Sequence, residues 1–290
     1  MGRMTRWILT LTILSLSPSF AIGQKLVSTG VFTGLTAPFT LDQGTSDDPR
    51  YQQRYVVKYA PIGFNFEIDY DGFGIITSPS YMKDGQNFNV LNSVGGQMGV
   101  RKINMQYIDI PLGFKLHIID LSFFKVSFVA AAGMQYLISG EETISHQAGK
   151  MWFPLEVDPI LPPEYIREYD GVQVPKVDHY QMLTTSDFNK IQFTGALGFR
   201  SDWEVTQTLK ISFDLRANYS FLESRSSGYV TKVENYETLY DLAGDRKEVF
   251  IYFTIGVSRI FDLEDSKKGK GKQRGDKAYQ FKSKRKPPKN

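Results

Sequence analysis

Three histidines and nine charged residues at alternating positions are the side chains whose types and spacing could support chemistry. The charged set is Glu67, Asp69, Asp109, Lys115, Lys125, Arg200, Lys210, Asp214 and Arg216. Each lies on the polar side of a two-residue alternation, so in strands they would share one face. Inside a narrow barrel, acids and bases in these numbers are expected to pair, because an unpaired buried charge costs about 3–5 kcal/mol. The expected role is a structural network in the lumen, with a proton or ion path as its rival. His146 and His179 share a long stretch with Glu141, Glu142, Asp158, Glu164, Glu168, Asp170 and Asp178. No spacing there matches a metal-ligand motif. His117 falls at a turn-side strand end and reads as structural. No metal or other cofactor is expected.

Nucleophilic chemistry has no better foothold. There is no Gly-x-Ser-x-Gly elbow, and no serine or aspartate stands in an activating context. Gly95-Gly96-Gln97-Met98-Gly99 lacks the Lys-Ser/Thr of a phosphate-binding loop. The chain has no cysteine, which excludes disulfides and thiolate metal sites. The expectation is a protein that is not an enzyme.

The elements that would position the charged face are long strands. The clearest stretch runs from Tyr107 to Ile138. Ile108, Ile110, Leu112, Phe114, Leu116 and Ile118 alternate with Tyr107, Asp109, Pro111, Gly113, Lys115 and His117. After a short break, Phe124, Val126, Phe128, Ala130, Ala132, Met134 and Tyr136 continue one face of a second strand. Similar alternation covers 55–70, 190–204, 209–221 and 248–261, with weaker strands at 25–35 and 73–81. That makes eight strands. The intervening stretches 36–54, 82–101, 140–188 and 223–247 read as long loops, and the other three connections span about five residues or fewer. Long and short connections strictly alternate, as in outer-membrane barrels. The fold class is therefore all-β: an eight-stranded antiparallel up-and-down transmembrane β-barrel with long extracellular loops. A soluble lipocalin-like barrel around a small apolar ligand is the alternative, because alternation alone does not say which face is inside. A rim-active outer-membrane enzyme is the second alternative. Strands of about 10–14 residues and aromatics at strand ends favour the membrane.

Residues 1–23 read as a secretory signal: Arg3 and Arg6, an apolar run from Trp7 to Leu16, then Ala21-Ile22-Gly23. Residues 24–261 form the barrel and 262–290 a disordered basic tail. The barrel region holds 27 acidic and 21 basic residues, the tail 4 acidic and 11 basic. With an even number of strands both ends lie on the periplasmic side. There the polycation could meet peptidoglycan or anionic headgroups; the signal argues against nucleic acid. In the longest loop, Trp152, Phe153, Tyr165, Tyr169 and Tyr180 are the candidate partner contacts, since aromatics in long loops favour interfaces.

The run Tyr107-Ile-Asp-Ile-Pro-Leu-Gly-Phe-Lys115, followed by Phe128-Val-Ala-Ala-Ala-Gly-Met134, resembles the PorT-like outer-membrane β-barrel family of Bacteroidota. The resemblance covers most of residues 25–261. It implies a small barrel in the outer membrane of a diderm bacterium, contacting membrane lipid. For a few members it also implies a tie to the type IX secretion and gliding apparatus, hence an envelope or secretion-machinery partner. The long loop 140–188 and the basic tail after Phe261 depart from the pattern. They leave open whether Arg259-Ile260-Phe261 serves as an insertion signal.

Overall fold

The computed structural model describes residues 26–262 apart from Ser122; the signal and tail assignments lie outside the described residues. Seven long strands and two short ones make a ring: β1 (Leu26–Asp42), β2 (Lys58–Asp69), β3 (Phe73–Thr77), β4 (Ser80–Asp84), β5 (Gln97–Leu121), β6 (Phe124–His146), β7 (Ile191–Thr206), β8 (Leu209–Ser220) and β9 (Arg246–Asp262). β3 and β4 share one position, interrupted at Ser78-Pro79, so the ring has eight places. Antiparallel ladders join each neighbour to the next, and β9 pairs back onto β1 from Leu26↔Asp262 to Asp42↔Arg246. No described helix is long and apolar enough to cross a membrane; the strands do the crossing.

Lipid-facing rows explain why these strands form here. On β5, Ile108, Ile110, Leu112, Phe114, Leu116 and Ile118 are 39% to 64% exposed, while Asp109, Lys115 and His117 point inward. Phe64 and Phe66 on β2, Phe193, Leu197 and Phe199 on β7, and Ile251, Phe253 and Ile255 on β9 continue the outward belt. Exposed aliphatics on this scale require an apolar solvent. The soluble-barrel alternative fails on this inside-out polarity.

Above the belt the polarity reverses. Past Ile108, the outward row of β5 reads Gln106, Asn104 and Lys102, while the inward row becomes Tyr107, Met105 and Ile103, all buried. These inward residues join Phe88, Val90, Leu137, Ile144 and Phe250 in a hydrophobic core. One barrel thus has a charged lumen at membrane depth and an apolar interior above it. A bulge marks the transition on β6. Tyr107 faces Leu137 and Gln106 faces Ser139, so Ile138 is extra and the inward parity changes from odd to even.

Several expected loops are ordered structure. β1 continues to Asp42 instead of ending near Leu35. Pro38 is tolerated because β1 loses its β2 partner beyond Thr36↔Lys58, leaving one side without a ladder. Within 82–101, Asn87–Leu91 pairs with the upper part of β5, and Tyr51–Arg54 pairs with Asn87–Leu91 in turn. In 140–188, β6 runs on to His146, a three-stranded sheet is made from Gly149–Met151, Ile166–Glu168 and Gly171–Val174, and Val177–Leu183 pairs with β6. In 223–247 a helix, Ser227–Glu234, is capped by the Ser226 side chain, which accepts from the Tyr229 N–H. Together these segments form a crown over the long-connection end of the ring.

Candidate functional site

At membrane depth, four carboxylates and four cations fill the lumen. Glu67 on β2 is fully buried and accepts from Lys115 Nζ at 2.6 Å, Lys210 Nζ at 2.8 Å and Arg200 at 2.5 Å. Lys115 also meets Asp69 at 2.7 Å and Asp202 at 3.3 Å. Arg200 bonds Asp202 at 2.9 Å and Asp214 at 3.2 Å, and Arg216 Nε donates to Asp214 Oδ1 at 2.8 Å. Two-residue spacing builds this cluster directly: Arg200 and Asp202 follow each other on the inward face of β7, and Lys210, Asp214 and Arg216 on that of β8. Gly74 makes room for it. A Cβ there would lie 2.2 Å from Asp69 Oδ1 and 3.0 Å from Lys115 Cε.

The sequence-derived charged set divides. Glu67, Asp69, Lys115, Arg200, Lys210, Asp214 and Arg216 come together. Lys125 does not: it sits at the turn end of β6 and pairs with Asp120 at 3.6 Å. Asp109 is buried yet makes no ion pair among the described residues. It borders a cavity of about 10 Å³ together with Ser78 and Arg216, space on the scale of one water. Asp202 was outside the set although the same alternation places it inward. Glu67, Asp69 and Asp202 bring carboxylate oxygens within 4.8 Å of one another, a spacing that could hold a metal ion. Lys115, Lys210 and Arg200 already neutralise that trio, so it offers a cation little net attraction.

A second charged layer lies within the crown, across the mouth of the ring. Asp241 lies 3.0 Å from Arg101, 3.3 Å from Arg225 and 3.5 Å from Arg246. Arg246 also bonds Asp42 and Glu142, each at 2.6 Å, and Arg101 bonds Glu142. Burial pushes the Asp241 carboxyl up, but the three guanidiniums outweigh it and hold the group below the usual carboxylate range. The neighbouring Tyr240 is a hub. Its hydroxyl meets His146 Nε2 at 2.8 Å and the Tyr165 hydroxyl at 2.6 Å, and its carbonyl accepts from the Tyr51 hydroxyl at 2.7 Å. Burial pushes the Tyr51 phenol up to about 12, so it stays a donor at neutral pH. None of this mouth layer was legible from alternation, because its parts come from loop segments and strand ends.

The candidate contact aromatics also divide. Phe153 and Tyr165 are buried in the crown core, 5% and 9% exposed, because they pack around Tyr240; as surface contacts they are corrected. Tyr169 is fully exposed, and Trp152 and Tyr180 are about half exposed at 42% and 48%. Trp152 Nε1 donates to the Ser93 carbonyl at 3.1 Å, tying two crown segments together. Exposed Val94, Leu155 and Ile166 lie in the same crown segments. His117 Nδ1 meets Ser127 Oγ at 2.8 Å. His146 ends β6 and its Nε2 meets the Tyr240 hydroxyl, whereas His179 is exposed.

Comparison with known protein families agrees with this architecture. A family model described as an outer membrane protein beta-barrel domain matches residues 19–224. No curated protein matches the chain. Among solved structures, the attachment invasion locus protein Ail of Yersinia pestis is 12% identical, covering 83% of this chain and 100% of its own, with a TM-score of 0.32. The outer membrane protease OmpT of Escherichia coli is 10% identical over 85% and 100%, TM-score 0.37. OprG of Pseudomonas aeruginosa is 10% identical over 83% and 97%, TM-score 0.35. The family match spans most of the chain and coincides with an inside-out ring of strands: this protein belongs to the outer membrane protein beta-barrel domain family and resides in the outer membrane of a Gram-negative bacterium.

Proposed function

We propose that this is a non-enzymatic, non-conducting outer-membrane protein whose crown engages an envelope or surface partner. The long-connection end faces outward on this reading. The observation that carries it is the obstruction of the interior at three successive levels: the Glu67 cluster, the apolar crown core and the Asp241 layer. With no passage, function falls to the surface, where Trp152, Leu155, Ile166 and Tyr169 stand exposed on an ordered scaffold. Rim chemistry gains no support. Among the described residues, the one inward rim histidine, His146, is bonded to a tyrosine hydroxyl instead of to a serine or aspartate. A PorT-like accessory role in secretion or envelope assembly rests on the Tyr107–Lys115 motif. The ends of β1 and β9 lie with the short turns, which supports periplasmic contact of the basic tail with peptidoglycan or anionic headgroups.

A photocrosslinking residue placed at Tyr169 in native membranes tests the reading. A discrete protein adduct at Tyr169, absent when the probe is placed at lipid-facing Leu112, is the expected result. Equal labelling at both positions, or none at Tyr169, would remove the crown as the functional surface.

A further inference from the structure

A groove of about 440 Å³ lies on the outer wall of the barrel, above the lipid-facing belt. Its volume falls in the usual range for small-ligand sites. Three elements line it with outward side chains: Lys102 and Asn104 from β5, Glu141, Thr143 and Ser145 from β6, and the segment from Lys176 to His179. The third wall exists because the strand Val177–Leu183 slips register against β6 between Val177 and Tyr180. His179 sits in that slip with φ of 52°, its N–H donating to Ser145 Oγ at 2.9 Å. The slip takes Asp178 and His179 out of the ladder and turns a flat strand edge into a wall.

Two features define a ligand. Lys102, Glu141, Lys176, Asp178 and His179 make no ion pair among the described residues, unlike the members of the Glu67 cluster and the Asp241 layer. Two ammonium groups, two carboxylates and an imidazole, with hydroxyl and amide groups between them, suit a molecule that combines phosphate with many hydroxyls. Neither a simple polyanion nor a bare cation would satisfy both signs. Position supplies the second feature. Asn104 is four residues past Ile108, the last lipid-facing residue of its row, which places it roughly 10 Å above the belt on a tilted strand. That is the level of polar headgroups.

We propose that this groove binds the phosphorylated saccharide headgroup of an outer-leaflet glycolipid. Lys102 and Lys176 hold the phosphate, and Glu141, Asp178 and Thr143 hold sugar hydroxyls. The assignment rests on the outward orientation of the crown, so the experiment separates the two. The full-length protein is placed in phospholipid nanodiscs and titrated with purified lipopolysaccharide, with binding read by native mass spectrometry. One glycolipid per barrel is expected for the unaltered protein and for Lys232→Ala, which lies outside the groove. Lys102→Ala/Lys176→Ala should bind at least ~10-fold more weakly while keeping heat-modifiable migration. A soluble phosphorylated core oligosaccharide should compete, since the groove holds the headgroup and not the chains. Unchanged binding by the double variant, or no competition, overturns the proposal. Orientation is read independently, by labelling a cysteine introduced at Leu155 on intact cells with an impermeant maleimide. Labelling without glycolipid binding defeats this site alone; no labelling defeats the orientation and the site with it.

Discussion

Replacing Glu67 by glutamine tests the central claim that the lumen is a neutralised ion cluster. Glu67 is fully buried and joins Lys115, Lys210 and Arg200. Glutamine keeps the shape but leaves four cations facing three carboxylates. Removing one partner of a buried pair costs about 3–5 kcal/mol. The lower end applies, because Lys115 keeps Asp69 at 2.7 Å and Arg200 keeps Asp202 at 2.9 Å. The expected loss is about 3 kcal/mol, about 150-fold in the folding equilibrium. Trp203 on the lipid face provides the probe, since its fluorescence changes as it leaves the bilayer during urea unfolding in phospholipid vesicles. Lys115→Gln should cost a similar amount. The double variant is again neutral, so its loss should fall short of the sum by at least about 1 kcal/mol. A loss below about 1 kcal/mol for Glu67→Gln, with additive behaviour in the double variant, would refute the cluster as a coupled unit.

The purified protein should form no stable pores in planar bilayers; reproducible ohmic channels would contradict the filled interior. The polarity reversal predicts unequal costs along one strand. Leu112→Lys should lose about 2–4 kcal/mol at membrane depth, Asn104→Lys almost nothing, and Ile103→Ala about 2–5 kcal/mol from the crown core, all by the same urea assay. Asp241 has a folded pKa below its ordinary value, so its stabilising effect is complete above about pH 4 and is lost as pH falls through the folded pKa. Hydrogen exchange in residues 238–245 should therefore accelerate at strongly acidic pH, and Asp241→Asn should show fast exchange already at pH 7. Deleting residues 265–290 should lower co-sedimentation with peptidoglycan; unchanged recovery would leave the tail without that role.

The membrane half of this molecule was legible because one rule governs it. From Ile108 to Ile118 and from Leu209 to Tyr219, every second residue faces lipid, so once strand length and the sided connections point to a membrane, alternation assigns inside and outside. The crown obeys two rules at once. Its strands keep the alternation, but the apolar face is now inward, and the bulge at Ile138 changes the parity on β6. The lower pattern therefore does not extend upward, and Met82 to Arg101 reads as loop in the sequence. Asn87–Leu91 is a strand because upper β5 offers it a free edge, which its own composition does not reveal. The same limit applies to single side chains. Asp109 and Lys125 belong to the polar face as expected, yet whether an inward charge meets a partner depends on the stagger between strands. Phe153 and Tyr165 read as surface contacts in the sequence because Tyr240, the residue they surround, lies 75 or more positions further along the chain.

The reversal of polarity along β5 bears on how such a protein is assembled. A strand that is inside-out below and inside-in above has no single environment in which its whole length is stable. The crown core needs water around it, while the lower ring needs lipid. On the proposed outward orientation, the crown segments must also pass the hydrocarbon layer before they can pack, since a finished crown would drag Lys102, Glu141 and their neighbours through it. On that orientation insertion precedes closure of the crown, and the ordered loops form last.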